Sequence, residues 1–308
     1  EICACLVGSE MCIRDRCVSD AFVQLNGSRT KPLDDILRAG NAVSLADSGG
    51  NVRCWSLKTI DGGELLELKH WARQEEVCLA VLERLPRWTD FSVLITDMDH
   101  TLIEEDVLQA LATIAGLEAE YRQVLSRLAE RKILFEDSLR ERARLLKGLP
   151  VSAIEEVVSQ VRFTPGIASL IDEARRHGLR TYVLSSGIDD IAQPLSEKLH
   201  MTGAIANHLN VCEGILTSVI KGPFGGPLLN AEGKRNQATR IAESLSTCGT
   251  RSALCCGDSG NDALMLRDAG MGVSFFGTSS AIEAANVNIN CGGFEWVLEL
   301  MRLHERFS

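Results

Sequence analysis

Val93-Leu94-Ile95-Thr96-Asp97-Met98-Asp99-His100-Thr101 is the stretch on which the reading of this chain turns. Its apolar start suits a buried strand. Two carboxylates, Asp97 and Asp99, follow at i and i+2, where that strand gives way to a loop. A second acidic run, Gly257-Asp258-Ser259-Gly260-Asn261-Asp262, follows another apolar stretch, Ala253-Leu254-Cys255-Cys256. Two strand-end acid clusters so far apart in sequence suggest one shared site, because open α/β sheets bind ligands beyond the carboxyl ends of their strands. Carboxylates gathered there suit a hard cation such as Mg2+ and an anionic substrate.

Outward from the first acid pair, residues 103–162 read as helix after helix, rich in Glu, Arg, Leu and Ala and without strand alternation. Pro150 and Pro165-Gly166 punctuate the end of that region. A helix from Ile167 to about Arg176 leads through Gly178 into the strand Thr181–Leu184, with Ser185-Ser186-Gly187 at its end. A hairpin or short strands are expected around Ile205–Ser218. Lys234 opens a helix to about Leu245, a further helix lies near Leu264–Asp268, and Met271–Phe275 is a strand. The alternation from residue 91 onward implies an α/β fold, a doubly wound parallel-sheet (Rossmann-like) core with a helical cap inserted after the first motif strand. The expected core is 91–102 with 164–308, and the cap 103–163.

Residues 18–90 read as a small N-terminal α+β segment. Short extended stretches are expected at Ala42–Leu45, Val52–Ile60 and Glu64–Leu68, with Gly49-Gly50 and Asp61-Gly62-Gly63 as turns. Gln74–Leu85 is expected to be helical, since Val77, Val81 and Leu85 recur at i, i+4 and i+8. Residues 1–17 look foreign. The run Cys5–Arg16 resembles a translated sequencing-adaptor remnant, and the chain starts with Glu; the expectation is that the true N-terminus is missing.

The chain has 308 residues, room for roughly two domains at about 150 residues each. A net charge of −10 argues against nucleic acid as the main partner. No run of about 20 apolar residues exists, so no membrane span is expected. Four of the eleven cysteines crowd the first seventeen residues, and the others show no CxxC zinc spacing. A cytoplasmic location fits that cysteine usage.

Asp97-x-Asp99-x-Thr101, Ser185, Lys234 and Gly257-Asp258-x-x-x-Asp262 stand in that order, and together they resemble the haloacid dehalogenase-like hydrolase superfamily over roughly residues 91–295. Within it the chain is most similar to the phosphoserine phosphatases, through Phe135–Arg142, Leu145–Pro150, Thr164-Pro165-Gly166 and Ala206-Asn207. The resemblance implies a Mg2+-dependent phosphomonoesterase acting on a small phosphorylated metabolite, phosphoserine first. Asp97 is then the nucleophile that forms an aspartyl-phosphate, and Asp99 the general acid and later the base. Asp97, Asp99 (through its backbone carbonyl) and Asp258 hold the metal, while Asp262 orients the loop or a metal-bound water rather than ligating directly. Ser185, Ser186 and Asn261 contact the phosphoryl group or substrate, and Lys234 neutralises phosphate charge. Arg142 clamps a substrate carboxylate with its planar fork, and Phe135 walls the pocket.

Three positions depart from that pattern. Asp106 stands where a Glu usually binds the substrate ammonium, Ser186 where Gly is usual, and His100 where Ser is usual. Two other functions stay open at this point: a phosphotransferase, and a non-catalytic amino-acid or phosphoester sensor. The oligomeric state is not legible.

Overall fold

In the computed structural model, residues 21–25, 43–47, 52–56 and 62–307 are described; the adaptor-like segment 1–17 lies outside them. The chain divides into two compact units, Glu1–Leu85 and Pro86–Ser308.

The first unit holds strands β1 (Ala21–Leu25), β2 (Val43–Asp47), β3 (Val52–Ser56) and β4 (Cys78–Leu82), antiparallel in the order β2-β3-β1-β4. Helix α1 (Gly62–Gln74) joins β3 to β4. Two expectations are corrected here. Glu64–Leu68 is helical, and Gln74–Leu85 contains a strand where a helix was expected. In α1 the residues turned inward are Leu65, Leu68, Lys69 and Ala72, an i, i+3, i+4, i+7 face. Around β4 every residue from Val77 to Leu82 is buried. A strand covered on both faces shows no alternation. The four-residue spacing of Val77 and Val81 suited a helix, but four is also a multiple of the strand period.

The second unit carries β5 (Val93–Thr96), β6 (Arg180–Ile188), β7 (Gly203–Cys212), β8 (Ile215–Lys221), β9 (Ala253–Gly257), β10 (Met271–Phe275) and β11 (Val287–Ile289). Their order is β11-β10-β9-β5-β6-β7-β8, parallel throughout except for β8. From β5 the chain moves to β6 and β7 on one side and later to β9, β10 and β11 on the other. The switch point therefore falls between β5 and β9, the two strands that carry the acidic runs, and it is there that such sheets bind ligands.

Helices α2 (Val107–Ile114), α3 (Glu118–Ala129), α4 (Phe135–Leu145) and α5 (Ser152–Gln160) are inserted after β5. The remaining helices are α6 (Ile167–Arg176), α7 (Asp189–Lys198), α8 (Ala231–Leu245), α9 (Ala263–Asp268), α10 (Ser279–Ala284) and α11 (Glu295–Phe307). Val93, Ile95, Ala253 and Cys255 point from β5 and β9 to one sheet face. There they pack with Ala238 and Ala242 of α8 and Met265 and Leu266 of α9. Each fully buried Ile or Met of this kind contributes roughly 1.5–3 kcal/mol.

The chain enters and leaves the insertion through two paired segments: Glu104 N–H donates to Arg162 O (3.0 Å) and Thr164 N–H to Leu102 O (3.1 Å). The β7–β8 hairpin turns at Glu213 and Gly214, both left-handed (φ 51° and 76°), the pattern of a two-residue type I′ turn. Its tip braces the insertion: Gly148 N–H donates to Leu216 O (3.0 Å), and Val151 N–H to Gly214 O (2.9 Å). Among the described residues no helix is long and apolar enough to cross a membrane.

Candidate active site

Asp97 follows the last residue of β5, and its N–H donates to Cys256 O of β9 (2.9 Å). Strand pairing thus carries the first acid to the end of the strand that carries the second. Met98 O accepts from the N–H groups of Leu102 (2.9 Å) and Ile103 (3.0 Å), which winds the acidic loop tightly. His100 sits in that loop with φ 57°, its Nδ1 3.0 Å from Glu104 O.

Lys234 lies in the first turns of α8, which Asn230 caps by accepting from Gly233 N–H (2.9 Å). Its ammonium is buried between two carboxylates, 2.6 Å from Asp97 Oδ1 and 2.7 Å from Asp262 Oδ1. Asp262 Oδ2 in turn accepts from Ser259 N–H (3.0 Å) and Ser259 Oγ (2.8 Å). Gly257 permits this closeness: a Cβ there would lie 2.5 Å from Asp262 Cβ. Asp258 is half-buried beside them, with Thr101 Oγ1 3.4 Å from its Oδ1.

Charge crowding sets the protonation states. Burial, and then the Asp262 charge, push the Asp97 carboxyl up from 3.8 to about 6, against the pull of Lys234. Burial, then Asp97 and Asp262, raise Asp258 to about 8. Asp99 is driven well upward by burial, then by Asp106 and Asp97. Burial alone would lower the Lys234 ammonium, but Asp262 and Asp97 outweigh it and hold it raised. Carboxylate oxygens of Asp97, Asp258 and Asp262 come within 4.8 Å of one another. An all-oxygen donor set with excess negative charge fits a hard divalent cation. Asp262 enters this cluster unexpectedly. Its two oxygens are already held by Lys234 and Ser259, which leaves Asp97 and Asp258 as the better-placed ligands. The Asp99 carboxylate faces elsewhere: its Oδ1 accepts from Val107 N–H (2.9 Å) at the start of α2.

One cleft collects Asp97, Asp99, Asp106, Phe135, Arg142, Ser186, Lys234, Asp258 and Asn261, together with His100, Leu108, Gly187 and Ser259. Ser185 is the exception among the expected residues. It is fully buried outside the cleft lining, and its Oγ accepts from Gly187 N–H (2.9 Å). Ser185 stands in the stretch over which the β6–β7 register shifts, between Leu184 and Ile188. Ser186 Oγ donates to Leu229 O (2.6 Å) and accepts from Asn261 Nδ2 (2.5 Å), so this side chain anchors Asn261. Gly187 leaves room for the acidic loop, since a Cβ there would lie 2.9 Å from Met98 Cε and 3.3 Å from Asp99 Oδ2.

Sequence reasoning missed Tyr121. Its hydroxyl donates to Asp106 (2.9 Å to Oδ1, 2.8 Å to Oδ2) and accepts from Arg142 Nη1 (3.2 Å). Asp106 also caps α2, its Oδ1 accepting from Gln109 N–H (3.0 Å). The Arg142 guanidinium lies over the Tyr121 and Phe135 rings, 5.8 and 6.0 Å from their centroids. A buried Tyr on an amphipathic helix carries no motif; only its burial facing α4 gives it a role.

The family model of haloacid dehalogenase-like hydrolases matches residues 94–267. A phosphoserine phosphatase of Streptomyces coelicolor is 33% identical over 209 residues, covering 68% of this chain and 50% of the relative. The chain thus spans half of that relative's length. A HAD family hydrolase from Salmonella enterica subsp. enterica serovar Typhi shares the fold, with TM-score 0.77 and 21% identity over 92% of this chain and 98% of that one. A solved phospho-aspartyl intermediate analogue of phosphoserine phosphatase matches with TM-score 0.61 and 28% identity, over 68% of this chain and 98% of the other.

Proposed function

Because the chain belongs to the haloacid dehalogenase-like hydrolase family, we propose that it is a Mg2+-dependent phosphomonoesterase that turns O-phospho-L-serine into L-serine and phosphate through an aspartyl-phosphate. One observation carries the reading. The buried Lys234 ammonium holds Asp97 Oδ1 at 2.6 Å, in a cleft that Arg142 and Asp106 also line.

With Oδ1 held by Lys234, Asp97 attacks phosphorus through its other oxygen, and a P–O bond forms as the bond to the serine oxygen breaks. Burial, then its acidic neighbours, raise the Asp99 carboxyl well above 3.8, which favours the protonated form that a general acid needs. Asp99 gives that proton to the leaving oxygen. Now ionised, Asp99 takes a proton from the water that cleaves the aspartyl-phosphate and restores Asp97. Asp97 and Asp258, with the Asp99 backbone carbonyl, would hold the metal. When bound, the cation neutralises charge on the phosphoryl oxygens. Lys234 adds a second positive charge, and Asn261, anchored by Ser186, donates to the phosphoryl group through its remaining amide hydrogen. Arg142 reads the substrate carboxylate and Asp106 its ammonium, with Phe135 as an apolar wall. Residues 103–163 form the cap that shuts water out of the first step, and 91–102 with 164–308 the core.

The curated and solved relatives named phosphoserine phosphatase support this reading. Purified protein with Mg2+ should release phosphate from L-phosphoserine, and Asp97→Asn should abolish release. Turnover untouched by that change overturns the mechanism. Turnover of other small phosphoesters but not phosphoserine overturns the substrate.

A further inference from the structure

Three elements meet at the Tyr121 hydroxyl. Tyr121 lies on α3, Arg142 on α4, and Asp106 caps α2; Tyr121 is fully buried and Arg142 nearly so. Asp106 and Arg142 line the cleft, whereas Tyr121 stands behind them, outside its lining. Its one O–H proton is shared between both Asp106 oxygens, and its lone pair receives Arg142 Nη1. Burial, and then the Asp106 charge, push the phenol upward, so it stays protonated and remains a donor. Arg142 Nε donates to Ser138 O (3.4 Å). Ser138 and Tyr121 each take one of the guanidinium's five N–H groups, and three are left for a ligand in the cleft.

Left alone, a carboxylate and a guanidinium facing one small pocket would close on each other as an ion pair and withdraw from substrate. The hydroxyl between them prevents this, because it satisfies one oxygen pair and one N–H while holding the two charges apart. We propose that Tyr121 is a positioning residue for substrate selectivity: it fixes Asp106 and Arg142 as a single charge-separated unit, so that the cleft prefers phosphoesters carrying both an ammonium and a carboxylate. The inference rests on the phosphoserine reading above and adds to it a residue that touches no substrate.

Tyr121→Phe removes the hydroxyl but keeps the ring beneath Arg142 and the packed volume. KM and kcat are read for L-phosphoserine and for phenyl phosphate, which has neither charged group. The expected result is a KM for phosphoserine raised about tenfold, the scale of a lost hydrogen bond to a charged group, with kcat within about twofold and the phenyl phosphate KM unmoved. A cycle with Asp106→Asn supplies the second measurement: if Tyr121 acts through Asp106, the double variant raises KM by much less than the product of the single effects. Equal changes for both substrates, no change, or full additivity overturns the inference and leaves the reading of function intact. A wild-type protein that turns over phenyl phosphate but not phosphoserine overturns the substrate reading and this inference together.

Discussion

Lys234 Nζ lies 2.6 Å from Asp97 Oδ1 across 137 positions of sequence, and 2.7 Å from Asp262 Oδ1 on its other side. The ammonium is the link between the two acidic runs. Lys234→Met should leave Asp97 and Asp262 facing each other without it. The expected loss is about 3–5 kcal/mol, the cost of stripping one partner from a buried ion pair. Urea unfolding measures it; a loss under about 1 kcal/mol would show that the two acids relax by protonation alone. Turnover should fall by about 10²–10³, as when one group stabilising transition-state charge is removed.

The raised carboxyls give metal-free protein a distinctive pH profile. Asp97 and Asp258 bind protons more tightly folded than at their ordinary 3.8. Their stabilisation is therefore fully present below about pH 4 and is lost as pH rises through about 6 and about 8. Melting temperature in chelator should carry this falling contribution between pH 4 and 8, and added Mg2+ should restore most of it at pH 8. Because the ligands must be deprotonated to bind, Mg2+ uptake should release protons below pH 8. Calorimetry in buffers of different ionisation enthalpy detects that release.

Gly257→Ala places a methyl 2.5 Å from Asp262 Cβ and 2.6 Å from its Cγ. Asp262 must then move and take with it the bonds to Lys234 and Ser259. A destabilisation of about 1–3 kcal/mol is expected from overpacking, together with weaker Mg2+ binding. Gly260→Ala is the control, since the methyl there meets mainly the Ser280 hydroxyl at 3.0 Å. Equal losses in the two variants would refute the specific role of the Gly257–Asp262 contact.

Asn230 Nδ2 donates to Glu136 Oε1 (2.9 Å) and so ties α4 of the insertion to the N-terminus of α8. Asn230→Asp keeps a good N-cap, so α8 should lose no more than about 0.5 kcal/mol. It also sets two carboxylates against each other between α4 and the start of α8. KM for substrate should rise several-fold at low salt and recover in about 1 M salt, where screening is nearly complete. Hydrogen exchange should quicken in α4 and not in α8; quickening in both would mean that the cap itself had failed.

Much of the catalytic half was legible in the sequence. Val93–Ile95 and Ala253–Cys256 are apolar runs ending in acids, and the structure makes them the adjacent strands β5 and β9. The helical stretch after Asp99, the strand before Ser185 and the helix carrying Lys234 were legible for the same reason: each is written in local periodicity. Residues 62–82 misled because a strand covered on both faces has no alternation to read, and a four-residue spacing fits helix and strand alike. The place of Ser185, off the cleft lining in the stretch over which the β6–β7 register shifts, was not legible, because pairing with a distant strand leaves no local pattern.

By itself, then, the sequence determined the family, the doubly wound fold and the pairing of Asp97 with Asp99, since residues two apart at a strand end keep their spacing in any packing. The tertiary structure alone decided that Asp262 is engaged by Lys234, that Ser186 anchors Asn261, and that Tyr121 stands between Asp106 and Arg142. Those relationships join elements separated by loops. Their distances are set by how helices and strands pack, and no local pattern in the chain encodes them.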